Sequence, residues 1–118
     1  MYLTDEYCNN CKLSVNSSIK DAIEVLEREA LKVVLVIDEN NILWGIVYDG
    51  DIRRALLKGF ELSDKVDKAM RRNFLKVDEG STNQEIDKMM RDNPIFHIPV
   101  LSSENKFLGL HVSNGGDL

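Results

Sequence analysis

Acidic and basic residues that could hold a ribose phosphate lie in one short stretch, residues 45–54, with the sequence GIVYDGDIRR. An aspartate such as Asp51 accepts hydrogen bonds from vicinal hydroxyls, and the arginines Arg53 and Arg54 attract phosphate, as does the N-terminus of a helix. An Asp-Gly-Asp sequence before an apolar run is also typical of an ordinary turn followed by a helix cap. The stretch therefore indicates either a ribose-phosphate site or a plain strand-to-helix connection.

A strand must lead into this stretch and a helix must leave it. The apolar run at residues 42–47 predicts the strand, and apolar residues at helical spacing predict a helix from about Asp51 to a stop at Gly59. Asp49 is interpreted as the cap of that helix rather than as a second ribose ligand. The possible site thus lies where the strand ends and the helix begins.

The framework around this stretch occurs twice in the chain. An offset of 64 residues superimposes Leu13 on Val77 and Gly45 on Gly109 without a gap. Each copy has a short apolar strand, a Ser or Thr with an acid three residues later, a helix, a β-branched strand, a hairpin loop and a second strand. A single copy of about 50 residues would bury too little apolar surface to be stable, so two copies that pack together are predicted.

The composition narrows the classes of function. The chain has 118 residues, of which 43% are hydrophobic and 30% charged, and its net charge is -5. No apolar run approaches the roughly 18–20 residues of a membrane span, and the acidic N-terminus does not resemble a signal peptide. We therefore expect a cytoplasmic protein with no membrane partner. The negative charge argues against a nucleic-acid partner, which usually needs a basic face.

The remaining residues give little support for catalysis. Cys8 and Cys11 form a single Cys-x-x-Cys pair, which is too few ligands for a tetrahedral zinc site and is interpreted as incidental in a reducing compartment. The sequence contains no Gly-rich phosphate loop, no Ser-His-acid set and no metal-ligand cluster of plausible spacing. We expect no catalytic residues, no metal and no required cofactor.

With the repeat established, the chain resembles a tandem pair of CBS domains, often called a Bateman module. The motif Gly-apolar-apolar-Ser/Thr-x-x-Asp of that family is matched at Gly45–Asp51 except that Tyr48 replaces the small hydroxyl residue. The run at Asp49–Leu56 is similar to CBS pairs associated with sugar-phosphate nucleotidyltransferases, and a related run occurs in the CBS pairs appended to sugar-phosphate isomerases. The resemblance implies an α+β fold of two βαββα repeats, packed by an approximate two-fold, each with a small mixed sheet and two helices.

The predicted organisation follows from the repeat and the resemblance together. Its segments are an N-terminal lead-in at 1–12, a first repeat at 13–59, a connecting segment at 60–73, a second repeat at 74–112 and a C-terminal tail at 113–118.

The resemblance also implies that the cleft between the repeats binds an adenine nucleotide (AMP, ADP or ATP) as a regulatory ligand. Asp51 would hold the ribose, Arg54 would contact phosphate, and Gly45 would let the backbone approach the ligand. In the second repeat Gly115 stands at the position of the motif aspartate, so only one site keeps its ribose acid. The residues expected to bind the ligand are Leu13, Val33, Val34, Gly45, Tyr48, Asp51, Arg54 and His97.

Some of these residues have alternative interpretations. Leu13, Val33 and Val34 are expected to surround the base. Tyr48 reaches farther than a Ser or Thr, so it could block the path of the phosphate. His97 either lines the cleft near the phosphate or is a core or edge histidine.

The expected function is a regulatory module in which nucleotide binding shifts the conformation, as part of, or partner to, a sugar-phosphate nucleotidyltransferase in cis or trans. A homodimer is expected. The alternative is a ligand-free structural pair that dimerises or orients an attached domain, and Tyr48 and the broken second motif favour it.

Overall fold

The computed structural model describes residues 1–93 and 97–113, and the chain folds as two compact units. The first unit is Asn9–Phe74, and the second combines Met1–Cys8 with Leu75–Leu118. The strands are β1 (Tyr2–Thr4), β2 (Lys12–Ser14), β3 (Val34–Ile37), β4 (Leu43–Val47), β5 (Val77–Asp78), β6 (His97–Leu101) and β7 (Phe107–Val112). The α-helices are α1 (Ile19–Arg28), α2 (Asp49–Leu57) and α3 (Asn83–Asp92), and 3-10 helices occur at Glu6–Cys11 and Val66–Lys68.

The first unit has a three-stranded sheet in the order β2-β3-β4. Strands β2 and β3 are parallel, and β3 and β4 form an antiparallel hairpin. Helix α1 begins with a capping box, because the Asp21 N–H donates to Ser18 Oγ at 3.1 Å and the Ser18 N–H donates to the Asp21 carboxylate at 2.9 Å. The buried core comprises Ile19, Ala22, Val25, Leu26, Val34, Val36, Val47, Ile52, Ala55, Val66 and Ala69.

The second unit has a four-stranded sheet in the order β1-β7-β6-β5. Strands β5 and β6 are parallel, while β6 and β7 form a hairpin. Helix α3 is capped by Thr82, whose Oγ1 accepts from the Glu85 N–H at 3.1 Å. A small core forms around Val77, Ile86, Ile98 and Val100.

The N-terminal residues, which the sequence predicts to be a lead-in, form strand β1 of the second unit. This strand pairs antiparallel with β7, where Leu3 lies opposite Leu110, and the Leu3 side chain is buried. A strand of three residues is too short to show periodicity, and its pairing spans more than a hundred residues of sequence. The contribution of this segment to the sheet could therefore be seen only in the structure.

The predicted α+β class with two small mixed sheets and helices is confirmed. One local prediction was wrong: α2 begins at Asp49, and Tyr48 rather than Asp49 is its N-cap residue. The reason is that the Asp51 carboxylate reaches back to the Tyr48 N–H at 2.9 Å, which places Asp51 in the third helical position. The second helix expected in the second repeat would follow β7, and residues 114–118 lie outside the described residues.

Candidate ligand site at the start of helix α2

Strand β4 and the segment after the 3-10 helix at Val66–Lys68 bring two distant parts of the first unit together. Ile46 and Arg71 exchange backbone hydrogen bonds, at 3.1 Å from the Ile46 N–H and 2.8 Å from the Arg71 N–H. Gly45 permits this approach, because a Cβ at that position would lie 2.8 Å from the Arg71 carbonyl oxygen and from Met70 Sδ. The glycine of the motif therefore accommodates the protein's own chain, and this contact fixes the Arg71 backbone next to the start of α2.

The side chain of Asp51 is the centre of this site. It is only 5% exposed, and its two oxygens accept four hydrogen bonds from three N–H groups, because Arg71 Nε contacts both oxygens. Oδ1 accepts from Arg54 Nη2 at 2.6 Å and from Arg71 Nε at 2.8 Å, while Oδ2 accepts from the Tyr48 N–H and from Arg71 Nε at 3.0 Å. A carboxylate has about four lone-pair directions, so its acceptor capacity is filled.

Both arginines that contact Asp51 remain open to solvent on their outer sides. The side chains of Arg54 and Arg71 are 57% and 49% exposed, and each contacts the carboxylate through one nitrogen. Two guanidinium groups around one carboxylate leave a net positive charge at the surface. This arrangement suits an anion such as a phosphate, because guanidinium groups bind phosphate through several N–H donors at once.

Tyr48 forms one wall of the cluster. The guanidinium carbon of Arg71 lies 5.5 Å from the centre of its ring, within the range of a cation–π contact. Burial, the largest cause, raises the pKa of the Tyr48 phenol to about 12; the Arg71 charge opposes this shift and the Asp51 charge adds to it. The phenol is therefore neutral at physiological pH.

The structure brings four of the predicted ligand residues together: Gly45, Tyr48, Asp51 and Arg54. Leu13, Val33 and Val34 belong to the same unit; Leu13 packs partly buried against its core, and both valines are fully buried. His97 is in the second unit, where it is 7% exposed at the start of β6.

Arg71 is the residue of this cluster that sequence reasoning did not place in the site. Its sequence signal is the pair Arg71-Arg72, and nothing in the local sequence connects this pair with Asp51. The pairing with Ile46, 25 residues earlier in the numbering, is what brings it there.

A separate cavity of about 520 Å³ lies in the second unit. Ile86, Val100 and Leu108 contribute its apolar lining, and Asp78 and Glu79 contribute acidic groups. Carboxylates repel a phosphate, so this cavity is a poorer candidate for a nucleotide than the arginine cluster of the first unit. Within the described ranges no helix combines the length and apolar composition that a membrane span requires.

Comparison with known proteins shows two matches to one family model. The model of the CBS domain matches residues 10–58 and 65–110. Among curated relatives, the arabinose 5-phosphate isomerase GutQ of Salmonella typhi is 31% identical over 93 residues, which is 79% of this chain and 29% of that protein. The inosine-5'-monophosphate dehydrogenase of Aquifex aeolicus is 27% identical over 103 residues, 86% of this chain and 21% of that protein. The chain thus spans less than a third of either relative.

Solved structures with the same fold include two nucleotide complexes. CBSX2 in complex with AMP has a TM-score of 0.79 and 20% identity, covering 93% of this chain and 84% of that one. The CbpB protein of Listeria monocytogenes in complex with c-di-AMP has a TM-score of 0.78 and 23% identity, with the same two coverages. At these identities the likeness shows the fold.

Proposed function

Since this chain belongs to the CBS domain family, we propose that it is a regulatory module that binds an adenine nucleotide at the start of α2. The observation that carries the proposal is the cluster in which the buried Asp51 carboxylate lies between the exposed guanidinium groups of Arg54 and Arg71. It combines an acceptor for ribose hydroxyls with two cations for phosphate. The complexes of CBSX2 with AMP and of CbpB with c-di-AMP support an adenine ligand.

Regulation would follow from a difference in affinity between two conformations. A ligand shifts such an equilibrium only as far as it binds one conformation more tightly than the other. Contacts made by the phosphate to Arg71 would act on the segment that leads from the first repeat to the second. Nucleotide binding would thus be transmitted along the chain to the second repeat.

The regulated enzyme is proposed to act on a sugar phosphate, in cis or in trans. The run at Asp49–Leu56 favours a nucleotidyltransferase, whereas GutQ is an arabinose 5-phosphate isomerase. Both classes handle sugar phosphates, and the curated relative supports the isomerase. A CBS module is itself regulatory rather than catalytic, so the reaction would belong to the associated enzyme.

A thermal-shift titration with AMP, ADP, ATP and GMP tests the nucleotide proposal. A ligand at about 100 times its dissociation constant stabilises the folded state by roughly 2.7 kcal/mol, which is easily measured in a domain of this size. Adenine nucleotides should raise the melting temperature of the wild type, and Asp51→Ala should abolish that shift. Asp49→Ala is the matched control, because Asp49 is an exposed acid two residues away on the same helix. Absence of a shift with every nucleotide would contradict the proposal.

A second candidate function is supported by specific observations. The acceptors of Asp51 are already filled by protein donors, and Leu57 at the end of α2 is 85% exposed. Both features fit a structural module that dimerises without a ligand. For such a module, nucleotides would leave the melting temperature unchanged while the oligomeric state persists.

A further inference from the structure

The filled acceptor capacity of Asp51 places a condition on any ribose that binds there. The two hydroxyls of a ribose diol must donate to carboxylate oxygens that already accept four hydrogen bonds. One of these donors, the Tyr48 N–H, belongs to the first turn of α2 and cannot leave without undoing the helix cap. The donors that can leave are the side chains of Arg54 and Arg71.

Arg71 is the donor that a diol must displace. Its Nε contacts both carboxylate oxygens, at 2.8 and 3.0 Å, and so occupies the position between them that two neighbouring hydroxyls would need. Arg54 contacts Oδ1 alone. The Arg71 backbone is held by its hydrogen bonds to Ile46, so its half-exposed side chain can swing away while the segment stays in place.

If a ribose displaces Arg71 from Asp51, the guanidinium group loses its charged partner unless the ligand supplies another negative charge. A nucleotide supplies one, because its phosphate can accept N–H donors from Arg71 while its ribose takes the carboxylate. A nucleoside offers only uncharged acceptors. Binding a nucleotide therefore exchanges one charged pair for another, whereas binding a nucleoside breaks a charged pair without replacement.

We infer that Arg71 acts as a latch on Asp51 that makes the site selective for phosphorylated nucleosides over free nucleosides. This inference rests on the proposed function, since it concerns the same site. The preference for nucleotides over nucleosides would come from Arg71, which lies outside the motif at Gly45–Asp51.

Calorimetric titration of the full chain with AMP and with adenosine tests the latch. The wild type should bind AMP at least about tenfold more tightly than adenosine, the factor that corresponds to about 1.4 kcal/mol. Arg71→Gln should bind adenosine more tightly than the wild type and AMP less tightly, so that the ratio falls towards one. Arg71→Lys keeps the charge without the planar fork and should retain a preference for AMP that is smaller than in the wild type.

Arg72→Gln is the matched control. Arg72 is the adjacent arginine, its side chain is 60% exposed, and it lies 3.9 Å from Asp67 rather than against Asp51. The AMP-to-adenosine ratio of this variant should equal that of the wild type. Thermal unfolding without ligand verifies that each variant is folded.

The outcomes separate the latch from the proposed function. If AMP binds the wild type but the ratio is unchanged in both Arg71 variants, the latch is wrong and the nucleotide site stands. If neither AMP nor adenosine binds the wild type or any variant, the proposed function fails and the latch fails with it. Equal losses of selectivity in the Arg71 and Arg72 variants would show a general charge effect and would also overturn the latch.

Discussion

Tyr48 occupies the motif position at which the CBS family has a small hydroxyl residue, and its ring lies against the Arg71 guanidinium. The phenol has an ordinary pKa of 10.0, which burial raises to about 12 in the folded protein. Between these two pH values the unfolded chain has released this proton and the folded chain still holds it. This phenol therefore contributes a decrease in the free energy of unfolding as the pH rises from 10 towards 12.

Replacement of Tyr48 by phenylalanine should remove this contribution to the pH dependence. The difference in the free energy of unfolding between wild type and Tyr48→Phe should change by at most about 1.4 kcal/mol per pH unit within that window, the linkage value for one full proton. Urea unfolding at several pH values measures it, and the difference at pH 8 gives the baseline for all other effects of the substitution. Parallel pH profiles for the two proteins above pH 10 would show that the phenol is not shifted by burial.

Two glycines at equivalent positions of the repeats show how each hairpin is completed by a neighbouring segment. At Gly45, a Cβ would lie 2.8 Å from the backbone oxygen of Arg71, and at Gly109, it would lie 2.7 Å from that of Leu3. In the first unit the segment is the stretch at Arg71, and in the second unit it is strand β1. Each hairpin is thus completed by a segment that lies elsewhere in the sequence.

Gly45→Ala should therefore destabilise the protein by about 1–3 kcal/mol, the usual cost of adding a methyl group where backbone is already in contact. Urea unfolding measures the loss. Gly80→Ala is the control, because its Cβ would lie 3.6 Å from the Asp78 carboxylate, an ordinary contact distance. A Gly45→Ala protein as stable as Gly80→Ala would mean that the segment at Arg71 does not pack against β4 as described.

The sequence predicted those elements whose signals are local. The capping box of Ser18 and Asp21 marks the start of α1, and the β-branched runs mark both hairpins, since caps and periodicity depend on neighbouring residues. The place of Arg71 in the site could not be predicted, because it depends on one backbone pairing with Ile46 and on the absence of a side chain at Gly45. The motif identified Asp51 as the acid of the site, whereas only the structure shows that Arg71 is the second cation beside it.

At the level of the whole molecule, the first unit leaves several large apolar side chains exposed near the end of α2. Leu57 is 85% exposed, Leu62 46% and Leu56 39%. Single exposed leucines are common, but three within seven residues form the beginning of an apolar patch that association would cover. The expected homodimer would use this patch.

Leu57→Glu should then convert the dimer to a monomer, because a charged carboxylate in an apolar interface loses its hydration without gaining a partner. Sedimentation velocity over a range of protein concentrations measures the change. Gln84→Glu, which places a carboxylate at an exposed position on α3, is the control and should sediment as the wild type does. Since Leu57 is almost fully exposed, its replacement should change the free energy of unfolding of the monomer by no more than about 0.5 kcal/mol.

A wild-type chain that sediments as a monomer at all concentrations would contradict the dimer. A Leu57→Glu chain that still dimerises would place the interface elsewhere on the molecule.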